Sequence, residues 1–463
     1  MKIEQIYTGC LAHAAYYIES NGEAAVFDPL REVQDYINRA NKDQAHIKYV
    51  FETHFHADFV SGHLDLAQKT GAKIVYGPTA KPNFDAIVAT DGQVFNVGKY
   101  QIKVIHTPGH TLESTCYLLI DENNNTHGLI TGDTLFIGDV GRPDLAQNLI
   151  PELTQEVLAS HLYHSLRNKI MPLADNLIVY PNHGAGSACG KNMSKETTDT
   201  LGNQKKTNYA LRANMTEAEF ITEVLQGLTT PPAYFPQNVL LNSNGYTNLD
   251  TVLSKSYVPL NVNLFKEYCK DEDVLILDVR HETDFSEAHI PGSIFIGLHG
   301  AFAPWVGALL KNTNQKLVLV IPENKEIETL TRLSRIGFDN SLGYLEGGIE
   351  AWVKAGEQIE SITSISPENF EKNTSNAPIV DVRKPTEFSE EHIAGALNIP
   401  LDILQESSSI IPSIPFYLHC AGGYRSIIAA SFLKKNGIHN FINIENGISG
   451  IKNTSLKLNK SLN

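Results

Sequence analysis

Apolar residues in this chain fall into short runs that stop at polar clusters, the signature of strands feeding loops. In the N-terminal half, Ile47-Lys48-Tyr49-Val50-Phe51 leads to a pair of histidines and Tyr100-Gln101-Ile102-Lys103-Val104-Ile105 precedes His110. Gly128-Leu129-Ile130 precedes Asp133, and Asn176-Leu177-Ile178-Val179-Tyr180 ends at Pro181-Asn182-His183-Gly184. Each run has the length and content of a strand and is followed by turn-forming residues. In the C-terminal half, Val274-Leu275-Ile276-Leu277, Lys316-Leu317-Val318-Leu319-Val320-Ile321 and Pro415-Phe416-Tyr417-Leu418-His419 read the same way, the last followed by an apolar helical pattern.

The strand ends carry chemistry. Thr53-His54-Phe55-His56-Ala57-Asp58-Phe59 is answered downstream by Pro108-Gly109-His110 and Gly132-Asp133. Imidazole nitrogens and a carboxylate are the donors a borderline divalent metal prefers, and two histidines at i and i+2 beyond a strand converge on one ion. The N-terminal half is therefore expected to be a metalloenzyme.

The order and spacing of these residues resemble the metallo-β-lactamase fold over roughly residues 1 to 245, which implies an αββα sandwich with metal at one edge of its sheets. Two-metal members of that superfamily carry a further histidine directly after the Asp, where this chain has Phe59. Asp58, His183 and a shared Asp133 would be left for a second ion, too few nitrogens to hold zinc well. One metal is expected. His54, His110 and Asp133 then form a two-His, one-carboxylate triad with open positions, which suits Fe(II) and dioxygen. His56 is read either as a ligand or as a hydrogen-bonding neighbour of metal-bound water or substrate, His183 as a substrate-pocket residue, and His63 as structural. His13, His46, His106 and His127 show no grouping and are left as ordinary residues.

A second signal lies near the other end, where His419 runs into Cys420-Ala421-Gly422-Gly423-Tyr424-Arg425-Ser426. A cysteine between a strand and a helix start sits among loop N–H groups and the positive end of a helix dipole, which favours a thiolate nucleophile. Arg425 offers a forked donor for an oxyanion such as sulfite, and Tyr424 would shape the pocket wall. This loop resembles the active loop of the rhodanese family, with four residues between Cys and Arg; tyrosine-phosphatase-type loops have five. The smaller loop implies sulfane-sulfur transfer.

An internal repeat divides this half. Asp278-Val279-Arg280 with Glu287-Ala288-His289-Ile290-Pro291-Gly292 returns as Asp381-Val382-Arg383 with Glu390-Glu391-His392-Ile393-Ala394-Gly395. Two tandem rhodanese-like modules of compact-domain size are implied, and these paired residues are read as scaffold. The first copy has Pro322-Glu323-Asn324-Lys325 after its strand and no cysteine, so it is expected to be inactive; Cys269 is read as a core or helix-end thiol. The expected division is residues 1–250, 251–360 and 361–463, an α/β and α+β architecture of one sandwich and two α/β domains.

The 463 residues suit three domains. No segment reaches the roughly 20 apolar residues of a membrane span, and the N-terminus alternates like a strand instead of presenting a signal peptide's apolar core. A cytoplasmic enzyme is expected. Five widely spaced cysteines argue against a disulfide framework. The net charge of −15, without a basic block, disfavours nucleic acid as a partner.

Gly138-Asp139-Val140-Gly141-Arg142-Pro143-Asp144 and His183-Gly184-Ala185-Gly186-Ser187-Ala188-Cys189-Gly190-Lys191 resemble loops of persulfide dioxygenases, particularly those fused to rhodanese modules. The resemblance implies Fe(II)-dependent oxygenation of a low-molecular-weight thiol persulfide (glutathione, coenzyme A or bacillithiol type) by O2 to sulfite, then transfer of sulfane sulfur through Cys420 to sulfite. It also implies a homodimer or homotetramer. Arg142 either serves the thiol carrier or forms a salt bridge with Asp144, and Cys189 is either a reactive thiol of lowered pKa or a loop cysteine. The alternatives are a zinc thioester hydrolase of the glyoxalase II type and a sulfur-relay protein without oxygenase activity.

Overall fold

The computed structural model describes residues 2–145, 153–373 and 377–460; Met1 and the last residues of the expected third domain, 461–463, lie outside them. The chain divides into two compact units. One runs to Val252 and takes in Lys311–Thr313 and Thr331–Phe338; the other holds Leu253–Leu310, Asn314–Leu330 and the chain from Asp339 onward. No helix among the described residues is long and apolar enough to cross a membrane.

The first unit contains, among the described residues, two six-stranded sheets. In the first, Lys2–Thr8, His13–Ser20 and Glu23–Phe27 pair antiparallel, then His46–Phe51, Lys73–Tyr76 and Ile87–Val88 continue in parallel. In the second, Val94–Val97, Tyr100–His106, Thr115–Ile120 and Thr126–Gly132 pair antiparallel; Ile178–Pro181 then runs parallel to Thr126–Gly132. Successive side chains on a strand face opposite ways, and here both faces are covered. Tyr16, Ala25, Phe27, Phe51, Tyr117, Leu119 and Ile130 join the core between the sheets. Their neighbours Tyr17, Ala24, Val26 and Val50 pack with Tyr36, Ala40 and Leu66 of the outer helices, and Cys116, Leu118 and Leu129 with Ala159, Leu162 and Phe220. Burial on both faces is why these strands read as continuous apolar runs, and the result is the expected αββα sandwich.

The second unit repeats one parallel sheet twice. Pro259–Leu260, Ser341–Leu345, Lys316–Val320, Val274–Asp278 and Ile294–Phe295 lie in that order; Ser364–Ile365, Phe441–Ile444, Phe416–His419, Ile379–Asp381 and Leu397–Asn398 reproduce it. The sequence repeat is a repeat of contacts. Arg280 Nη2 donates to Asp278 at 2.7 Å and to Ala288 O at 2.8 Å, and Arg383 Nη2 to Asp381 at 2.6 Å and Glu391 O at 2.7 Å. His289 stacks on Phe285 at 4.1 Å and His392 on Phe388 at 4.0 Å. These groups serve each other, as the scaffold reading expected. Cys269 ends the helix Val262–Cys269, half-buried, and burial pushes its thiol up to about 11.

Candidate metal centre and sulfur-transfer loop

The strands His46–Phe51, Thr126–Gly132 and Ile178–Pro181 end at His54, Asp133 and His183, and the loop after Tyr100–His106 carries His110. His110 Nε2 lies 3.4 Å and His54 Nε2 3.9 Å from Asp133 Oδ2, with the two imidazoles 4.9 Å apart and nearly perpendicular. All three residues are buried. Hydrogen bonds fix which nitrogens converge. His110 Nδ1 lies 2.8 Å from Arg142 O, which can only accept, so Nδ1 carries the proton and Nε2 the free lone pair. The Thr53 hydroxyl donates to Asp28 Oδ1 at 3.2 Å and therefore accepts from His54 Nδ1 at 2.9 Å, leaving His54 Nε2 free as well.

Both Asp133 oxygens are buried with no hydrogen-bond partner. A carboxylate in that state costs several kcal/mol unless a cation sits beside it, and two imidazole lone pairs face it. The donor set fits a divalent metal. Burial, with His56, His110 and His183 nearby, holds the His54 imidazole well below its ordinary value, in the neutral form a ligand needs. Glycine makes the crowding possible: a Cβ on Gly141 would stand 2.0 Å from Asp133 O and 2.9 Å from His110 Nδ1.

A second group adjoins the first. His183 Nδ1 donates to Ala12 O at 3.3 Å, so its unpartnered Nε2 faces Asp58 Oδ2 at 3.5 Å and Asp133 Oδ1 at 3.6 Å. Burial opposes protonation of His183, but Asp133, Asp58, the Ala12 carbonyl and Asp28 together raise its pKa in the metal-free protein. His56, Asp58 and His183 offer ligand atoms within 4.8 Å of one another, as do Asp133, His183 and Cys189. His56 Nε2, however, lies 2.9 Å from Asp28 Oδ1, which leaves only Nδ1 unpartnered. Phe59 is buried against His13 and His56.

Arg142 is buried with its fork on Asp144, Nε to Oδ1 and Nη2 to Oδ2 at 2.6 Å each, and with further bonds to the carbonyls of Ala188 and Thr229. Its own carbonyl orients His110. Cys189 is buried, and its thiol is pushed well above its ordinary value by burial, with Asp58 and Asp133 adding to the shift. That corrects the lowered pKa its lysine-flanked loop suggested, because burial and the two carboxylates disfavour the thiolate, while the Lys191 ammonium turns to the Glu223 and Gln226 carbonyls.

Several residues around the metal group carried no motif. Asp28 joins the His56 imidazole, the Thr53 backbone and Asn182 Nδ2 through both its oxygens. Glu52 lies 3.6 Å from His56, and burial followed by Asp28 raises its pKa well above the usual carboxylate range. His13, read as ordinary, is buried, lies 5.5 Å from His183 ring to ring, and bonds Asp28 O. Asn242 reaches the His56 and Phe59 carbonyls and the Ser61 N–H. Asp28 ends the strand Glu23–Phe27 as Asp133 ends its own, a signal available in the sequence; Asn242 had none.

In the second unit, Cys420 follows the strand Phe416–His419 and is 1% exposed. Gly423, at φ +110°, turns its N–H onto Cys420 Sγ at 3.1 Å and opens the helix Tyr424–Lys435. The Ser426 hydroxyl donates to Gly423 O at 2.9 Å, and Ile448 N and Ser449 N hold the Cys420 and Ala421 carbonyls. Ala421 and Gly422 form the outer turn, with Gly422 exposed. Arg425 makes a two-pronged bond to Glu387 at 2.6 and 2.7 Å. At the matching strand end of the first copy, Val320 pairs with Asp278 as His419 pairs with Asp381, so Ile321 occupies the place of Cys420.

Comparisons with known proteins agree with this architecture. A metallo-beta-lactamase superfamily model matches residues 8–181, and a rhodanese-like domain model matches 261–355 and 366–454. A probable hydroxyacylglutathione hydrolase of Schizosaccharomyces pombe is 28% identical over 183 residues, 38% of this chain and 66% of that protein. The hydroxyacylglutathione hydrolase of Dictyostelium discoideum is 30% identical over 48% of this chain and 78% of its own length. The chain thus spans about two thirds of the S. pombe relative. A solved metallo-beta-lactamase from Staphylococcus aureus is 32% identical, with a TM-score of 0.64 over 75% of this chain and 98% of that one. With this fold, this buried histidine–aspartate group and these matches, the chain belongs to the metallo-β-lactamase superfamily and carries two rhodanese-like domains behind its metal-binding domain.

Proposed function

We propose that the metal-binding domain is an Fe(II)-dependent persulfide dioxygenase, one iron per domain, and that the second rhodanese-like domain passes sulfane sulfur to the sulfite it makes. Phe59 carries this reading. An apolar ring beside Asp58 withholds from the group of His56, Asp58 and His183 the further nitrogen that a histidine there would add, and His54, His110 and Asp133 form a facial set. Iron in that set would supply the one-electron chemistry by which dioxygen oxidises sulfur.

The overall change is R–S–S⁻ + O2 + H2O → R–SH + SO3²⁻ + H⁺. The chain's own residues prepare it. Arg142 O and Thr53 aim the His110 and His54 nitrogens, and His183, whose Nε2 faces Asp58 and Asp133, is placed beside the reacting region to pass a proton to the departing thiolate. Cys420 then takes sulfane sulfur from a second persulfide, releasing R–SH, and the Gly423 N–H bonds the cysteine sulfur. Sulfite attacks the outer sulfur, the Cys–S–S bond breaks to return the thiolate, and thiosulfate leaves. A thiol carrier of the glutathione type is the expected partner.

A second reading is zinc-dependent thioester hydrolysis, favoured by the names of the hydroxyacylglutathione hydrolase relatives; a sulfur relay without oxygenase activity is a third. The test is O2 uptake by anaerobically iron-loaded protein given glutathione persulfide, with sulfite and thiosulfate measured for wild type and Cys420→Ser. Uptake by both, with thiosulfate from wild type and sulfite accumulating in the variant, supports the two-step scheme. Cleavage of a glutathione thioester without O2 uptake replaces it with the hydrolase, and neither activity leaves the relay.

A further inference from the structure

We propose that the first rhodanese copy, whose loop has Ile321 in place of the cysteine, is a working part of the sulfur-transfer site in the second: its segment 295–300 seats Tyr424, and through Tyr424 it sets the loop that holds Cys420. The proposal rests on the reading of Cys420 as the sulfur carrier and assigns a role to the copy that has Ile321 at that position.

Tyr424 occupies the decisive place in the loop. It lies between Gly423, whose N–H bonds the cysteine sulfur, and Arg425, which is locked on Glu387. Its hydroxyl donates to Gly297 O at 2.7 Å. Its ring meets His299 edge-on at 5.2 Å and Phe295 at 5.8 Å. His299 is itself placed, with Nε2 2.8 Å from Glu282 Oε2 and its ring stacked 4.4 Å from His281. The seat is also shaped for a ring against bare backbone: a Cβ on Gly300 would stand 2.4 Å from Tyr424 Cζ.

The helix that begins at Tyr424 shows the same dependence. Ser426 through Leu433 are all buried, and a helix buried all round must be covered on every side. The strand Ile294–Phe295 of the first copy provides part of that cover, with Phe295 N donating to Ser431 Oγ at 3.1 Å. The loop and its helix are therefore held at two points by one stretch of the first copy.

The two copies have divided the parts. At the constant offset of 103 residues, His281, Glu282 and His299 correspond to Lys384, Pro385 and Asp402, so the second copy lacks the seat. The first copy keeps the seat and has Ile321 where the second has Cys420. Neither copy alone contains both the sulfur carrier and the surface that positions its loop. Tyr424, His299 and Gly300 act through the loop and are positioning residues.

The test uses the full-length, metal-loaded chain with Tyr424→Phe, His299→Ala and Gly300→Ala. Sulfur transfer from thiosulfate to cyanide is measured beside alkylation of Cys420 by iodoacetamide and by bulky N-phenylmaleimide, read by mass spectrometry. Tyr424→Phe keeps the ring and loses one neutral hydrogen bond, so transfer should slow roughly two- to tenfold, and the ratio of bulky to small alkylation should rise as the loop loosens. His299→Ala should move both readouts the same way. A change in stability alone would leave that ratio unmoved in folded protein. Wild-type transfer rates and alkylation ratios in both Tyr424→Phe and His299→Ala would overturn the proposal even if Gly300→Ala fails to fold. If wild type transfers no sulfur, the sulfurtransferase reading falls, while the alkylation ratio still decides whether the first copy seats the loop.

Discussion

Phe59 lies over His56 with ring centroids 4.3 Å apart and a 33° tilt, and its ring centroid stands 4.2 Å from that of His13. An apolar ring thus sits between two imidazoles beside a metal-binding group. Phe59→His would replace it with a donor near Asp58 and His183. Metal per chain, measured by mass spectrometry after zinc dialysis, should rise from one toward two. Loss of the buried aromatic should lower stability by about 1–3 kcal/mol.

Asp133 should affect stability in opposite directions with and without metal. Its two oxygens are buried and unpartnered, a cost in metal-free protein that the metal removes. Asp133→Asn should leave the metal-free protein as stable as wild type or up to about 2 kcal/mol more stable, while abolishing the stabilisation that added Fe(II) or Zn(II) gives wild type. Paired thermal melts with and without metal read this directly.

Asn242 bonds His56 O, Phe59 O and Ser61 N from a distant helix. Asn242→Ala leaves those buried groups without a partner, at a cost of about 2–4 kcal/mol by denaturant unfolding. Because His56 and Phe59 share a short loop with His54, metal affinity measured by competition with a chelator should weaken as well.

Glu387 gives the second unit a pH dependence of known sign. Its hydrogen bond and ion pair with Arg425 hold its carboxyl below the ordinary value of 4.5. Such a group adds stability above its unfolded pKa and loses it as pH falls through the folded one. The pair is partly exposed, so its worth is about 1 kcal/mol or less. Glu387→Gln should melt lower than wild type at pH 7, and the difference should shrink as the pH drops below 4.5.

The sequence by itself determined the architecture and pointed to the candidate site residues, because those depend on local patterns. Strands buried on both faces read as apolar runs, and the polar residues after them had to emerge at strand ends. His54, His110 and Asp133 were legible for that reason, as were Cys420, its glycine turn and the repeat around Asp278 and Asp381. Only the tertiary structure decided what surrounds them. Asp28, Asn182 and Asn242 reach the histidine loop from far along the chain, and His13 meets Phe59 only through packing. The Cys189 thiol pKa rises because the fold buries it, with Asp58 and Asp133 beside it, and the Tyr424 hydroxyl finds Gly297 in the other copy. Strand and turn patterns are written in neighbouring residues; desolvation, charge proximity and the partners of a buried polar group depend on residues that only the fold brings together.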